Sequence, residues 1–115
     1  VANTGAVVVG GTTDVIVIGG SEHVNMSLTT NNFTGAVSII NGNKIILKTS
    51  GALVLGTIQS AWAAFTTGGD VTQSAEGKFD TSNFFSVVAW DGGSTYYDVD
   101  LSNANSETTF IRFFL

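Results

Sequence analysis

A chain of 115 residues that is 43% hydrophobic and only 11% charged reads as one domain with apolar mass enough for a core. Its net charge of −5, with Lys44, Lys48, Lys78 and Arg112 as the only lysines and arginines, argues against nucleic acid and anionic membranes as partners. The absence of cysteine rules out disulfides and thiolate metal sites, and no apolar run approaches the roughly 20 residues that a membrane span needs.

In chain order, short apolar segments of period two occupy residues 6–9, 15–18, 24–28, 36–40, 44–47 and 52–58. Residues 61–65, 78–79, 84–89, 95–99 and 109–114 continue the pattern. These segments are rich in Val, Ile, Thr and Phe, and Gly-Gly, Asn-Gly and Asp-Gly-Gly separate them, which are turn residues because they accept positive φ. The glycine-rich stretch 10–20 reads as a hairpin, since it lacks the lysine and following helix of a phosphate loop. Residues 59–65, where Trp62 alternates with alanines, suit a strand or one helical turn equally.

The expected fold is therefore all-β: a single antiparallel β-sandwich or jelly-roll-like domain over 1–115, with 1–20 as an N-terminal arm or hairpin used in assembly. Gly5-Ala6-Val7, Gly35-Ala36-Val37 and Gly51-Ala52-Leu53 echo one another, but at unequal intervals, which reads as three strands that start alike and not as a solenoid. The chain contains no proline to blunt strand edges, so a neighbouring subunit is expected to cover them. It begins at Val1, which removal of a signal peptide or of an initiator Met would produce alike.

No catalytic set can be assembled. His23 is the only histidine, without the nucleophile and carboxylate of a triad or the further ligands of a metal site. Asp98 and Asp100 are two apart on one strand, so they share a face; with Asp91 they offer oxygen ligands, but not at the spacing of a calcium loop. No metal and no cofactor are expected. Trp90, Tyr96 and Tyr97, with Asp91 and Asp98, form the best ligand-binding candidate: an aromatic platform for a sugar ring with carboxylates for its hydroxyls. Against that, a Trp at a strand end commonly belongs to the core. Two sequons, at Asn25 and Asn32, matter only in a glycosylating pathway.

The termini suggest an assembly interface. Val7, Val8 and Val9 are uncharged, and the C-terminal segment ending Phe113, Phe114, Leu115 is apolar on both faces, an aggregation risk in a free monomer.

The succession of Phe33-Thr34-Gly35 before an apolar strand, Trp62 before Thr66-Thr67-Gly68-Gly69, Gly77-Lys78-Phe79 and a last strand carrying Arg112 resembles the small β-sandwich domains of bacteriophage virion proteins. The resemblance is to capsid decoration proteins, fibres and baseplate adhesins. It implies a non-enzymatic structural protein of the virion or another extracellular setting. Such a subunit would form a homo-oligomer, a trimer first, against a major capsid or other virion protein, with a host glycan as a further partner. Two other readings stand beside it: a carbohydrate-binding module or lectin, and a secreted filament subunit assembling by strand exchange.

Overall fold

A computed structural model describes residues 4–18, 22–90, 92–101, 107–108 and 111–114. The chain is all-β, as expected, with eleven strands among the described residues: β1 (Val8–Val9), β2 (Thr13–Ile16), β3 (His23–Met26), β4 (Asn32–Phe33), β5 (Ala36–Thr49), β6 (Leu53–Thr67), β7 (Val71–Gln73), β8 (Phe79–Ala89), β9 (Val99–Asp100), β10 (Glu107–Thr108) and β11 (Ile111–Phe114).

Every one of their pairings is parallel. The chain winds into a β-solenoid of about four turns and does not form two antiparallel sheets facing each other. The expectation of an antiparallel sandwich or jelly roll is thus overturned, and with it the sandwich that the virion resemblance implied. The physical reason lies in the connections. Parallel neighbours need a crossover of a dozen or more residues. Lys44 pairs with Trp62 eighteen residues on, so each return to the sheet goes once around the molecule.

Stretch 10–20 is not a hairpin either: β1 pairs with β4, and β2 with β5. The internal echo belongs to a true repeat, but its register is not the one that the matching letters suggest. Ala36 faces Val54 on the next turn and not Ala52. Segments that read separately are continuous: 36–40 with 44–47 in β5, 52–58 with 61–65 in β6, and 78–79 with 84–89 in β8, so Trp62 lies on a strand.

Alternation decides what goes inside. Successive side chains point to opposite faces, and the inward ones stack in columns along the axis. One column runs Val24, Ile45, Ala63, Phe85, and another Met26, Leu47, Phe65, Val87. All eight are buried. Phe85 fills the space that Ala63 leaves, its ring 4.8 Å from that of Phe79 and 5.6 Å from that of Phe65.

The corners hold the turns in register. Buried Asn31 accepts the Val7 amide on Oδ1 at 2.9 Å and donates from Nδ2 to the Met26 carbonyl at 3.1 Å, while its own carbonyl receives the Ser50 amide of the next turn at 2.8 Å. At the equivalent corner one turn further, a Cβ on Gly68 would stand 2.4 Å from the Ser50 carbonyl oxygen, so only glycine lets the two backbones approach.

Candidate functional site

Turn length varies at the corners and, by single residues, at bulges within the strands. Val71 pairs with Leu53, eighteen residues back, and with Val99, twenty-eight residues ahead. Of the ten additional residues, four have accumulated by the end of β8 and six lie in the 90–98 segment, which leaves the solenoid after β8 and returns to it at β9. Gly92, at φ 84°, reverses the chain there. An antiparallel bridge joins Trp90 to Tyr96. The Tyr97 amide donates to the Ala89 carbonyl at 2.9 Å and closes the base of this loop.

The bridge sets the two rings side by side. Trp90 and Tyr96 have centroids 5.7 Å apart and planes within 7° of parallel. They are 38% and 58% exposed, so neither is core, and the pair projects as a flat apolar tab. Trp90 Nε1 donates to the Gly93 carbonyl at 2.9 Å, which fixes the indole.

The other residues of the sugar-platform candidate do not join this pair as one surface. Tyr97 turns inward and packs, half-buried, against the core with Val99 and Leu101. Exposed Asp98 is tied through its backbone, its amide donating to Asp70 Oδ1 at 2.9 Å and its carbonyl accepting the Val71 amide. Asp91 lies outside the described residues. Among the described residues no group of three His, Cys, Asp or Glu is placed to hold a metal ion.

The assembly candidates divide similarly. Val7 and Val9 pack half-buried against the core, whereas Val8 is 71% exposed. Phe113 and Phe114 lie on β11, in register with Val87 and Val88; Leu115 lies outside the described residues.

Sequence reasoning missed the end of the solenoid itself. Val9 belongs to the column of Phe33, and Val15 to that of Ile39, yet Phe33 and Ile39 are buried while Val9 and Val15 are only half so. The first turn has a neighbour on one side, and its β1 and β2 stretch is where this shows, since Val17, Val24 and Met26 of the same turn are buried. Among the described residues, β1 and β2 each pair along one edge and present the other. Exposed Ile16 and Ile18 lie on the same turn. Alternation alone does not reveal an uncovered end, because Val15-Ile16-Val17-Ile18 would look the same in a central strand.

One family model matches the chain over residues 1–40 and again over 42–112, and its description is repeats of unknown function (DUF5649). No curated protein and no solved structure matches the chain.

Proposed function

The chain belongs to this family of repeats, and from that premise we propose that it is a non-enzymatic rod module, a length of β-solenoid whose first turn docks against a further parallel coil. The observation that carries the reading is the half-burial of Val9 and Val15 beside fully covered partners in the same columns. A further coil, from another repeat or a second copy, would complete both the columns and the hydrogen-bonding edge.

This favours the fibre and filament roles over a capsid clamp. An end-to-end contact between unlike faces generates an open rod, whereas a trimer needs a contact that closes. A fibre at the surface of a particle or cell is the setting we propose for it. A low-charge surface of Thr, Ser and Asn supports that setting.

The test is mass by light scattering across a concentration series, with Val9→Lys as the blocked variant. A lysine at the open end can extend its ammonium to water, so the fold survives while docking is opposed. Concentration-dependent growth that Val9→Lys abolishes is the expected result. A wild-type chain that stays monomeric throughout would count against the reading.

A second reading, a carbohydrate-binding module, rests on the exposed Trp90–Tyr96 pair. It predicts saturable sugar binding that Trp90→Ala removes.

A further inference from the structure

The outer face of the side built by β2, β5 and β6 carries a hollow of about 280 Å³. Residues of four successive turns line it. Asp14 of the first turn stands in register with Ser38 of the second. Ser38 lies opposite both Gly56 and Thr57 of the third, because the register of β5 on β6 slips there by one residue, and its hydroxyl accepts the Thr57 amide at 2.9 Å. On the fourth turn the 74–77 segment bounds the hollow, its Ser74 amide donating to the Leu55 carbonyl at 2.8 Å and its Gly77 amide to the Ser74 carbonyl at 3.0 Å. Gly56 and Gly77 are buried and raise no side chain. A Cβ on Gly56 would run into the Ser38 hydroxyl, and one on Gly77 would stand 2.8 Å from the Gly56 carbonyl oxygen, so close packing of the turns keeps this floor bare.

The lining is chemically one-sided. Its side chains offer hydroxyl and carboxylate oxygens and no nitrogen, and its two charged members, Asp14 and Glu76, are both acids and both exposed. Neither carboxylate has a hydrogen bond or ion pair among the described residues. Lys78, two residues beyond Glu76, does not line the hollow. An anion would be repelled from both ends.

Spacing decides among the cations. Asp14 and Glu76 lie on the first and fourth turns, three steps of about 4.8 Å and so roughly 14 Å apart along the axis. A single metal ion, which needs its oxygens at about 2.3 to 2.6 Å, cannot draw on both. A thin chain with an ammonium at each end can. Five methylenes set two nitrogens about 7.5 Å apart, and a charge-assisted bond of about 2.8 Å at each end brings the span to roughly 13 Å. We propose that the hollow binds a linear diamine or polyamine, laid along the axis with one ammonium on Asp14, another on Glu76 and its methylenes over the glycine floor. The volume lies just under the roughly 300 Å³ at which sites for drug-sized molecules begin, which suits so thin a ligand. The hollow takes nothing from the open edge of β2, so it stands or falls apart from the end-to-end docking above.

The test is a titration of the whole ¹⁵N-labelled chain with 1,5-diaminopentane at low salt, followed by amide chemical shifts, with butylamine as the one-ended control. Saturable shifts confined to residues 12–14, 36–38, 56–57 and 74–77 are expected, with binding at least about threefold tighter than that of butylamine. Added salt should weaken it. Asp14→Asn and Glu76→Gln, both at exposed positions where the fold does not depend on them, should each bring the diamine down to the level of butylamine. Asp80→Asn, an exposed acid off the hollow, should bind as wild type. The proposal is overturned by a wild type without saturable shifts, by butylamine binding as tightly as the diamine, or by single variants that keep wild-type affinity. An Asp80→Asn that loses as much, or calcium chloride at equal ionic strength producing the same shifts, would overturn it too.

Discussion

Thr49 and Thr67 face each other on adjacent turns and make the same bond, each hydroxyl donating to the carbonyl two residues on: Thr49 Oγ1 to Gly51 at 2.9 Å and Thr67 Oγ1 to Gly69 at 2.8 Å. The threonine methyl faces the core while the hydroxyl satisfies the corner. Thr67→Val keeps the shape and removes the donor, and should cost about 1 kcal/mol. Buried Thr81 is the contrast, since its hydroxyl has no partner among the described residues. Thr81→Val should be neutral or stabilising by up to about 1 kcal/mol. Urea midpoints of the two variants, moving in different directions or only for Thr67, check the pair.

Asn31 joins three segments at one corner through bonds to Val7, Met26 and Ser50. Asn31→Ala would leave the Val7 amide and the Met26 carbonyl without that partner and open a small cavity. A loss of about 2 to 3 kcal/mol is expected, read from equilibrium unfolding. A loss below about 0.5 kcal/mol would show that water replaces the amide at this corner.

Much of this was readable in the letters, and the reasons for the rest are specific. The alternation over 36–40 and 44–47 marked both as strand, and the structure buries Val37, Ile39, Ile45 and Leu47 there. It gave no pairing direction, because a strand with one buried face looks alike in a sandwich and in a solenoid. The repeat was hidden by unequal corners. Leu55 meets Gln73 after eighteen residues, but Ile58 meets Phe79 after twenty-one, the turn at Ser74–Gly77 taking the difference. The usable signal was Thr49-Ser50-Gly51 against Thr67-Gly68-Gly69, a corner motif eighteen residues apart. At the ligand candidate, the pairing of Trp90 with Tyr96 could be anticipated from the Asp-Gly-Gly turn between them, whereas the inward turn of Tyr97 follows from its packing with Val99 and Leu101. The Lys44–Trp62–Phe84 column could not be seen until register set the three on successive turns.

Close backbone approach gives a third expectation. Gly68→Ala sets a Cβ against the Ser50 carbonyl, and backbone on both turns must yield. A cost of about 2 kcal/mol or more is expected. Gly10→Ala meets nothing within 4 Å and should change stability by less than about 0.5 kcal/mol. Comparable melting points for the two would contradict the tight corner.

The Trp90–Tyr96 tab lies outside the core, so its removal should be cheap. Trp90→Ala gives up a stacked pair worth about 0.5 to 1.5 kcal/mol and little more. Thermal unfolding would then stay cooperative with a small downward shift. A collapse of the fold would mean that the loop braces the fourth turn and is not a free appendage.

Because each turn touches only the turns directly above and below it, the molecule is held together by a row of similar interfaces with no single centre. The first turn has one such interface and the third has two, so amide protons of β1 and β2 should exchange with solvent by local fraying, and those of β6 only when the stack parts on both sides. Lengthening such a rod adds interfaces one at a time. Each further repeat would leave the existing turns unchanged and move the fraying end outward, so that a turn marginal in a short stack becomes interior in a longer one.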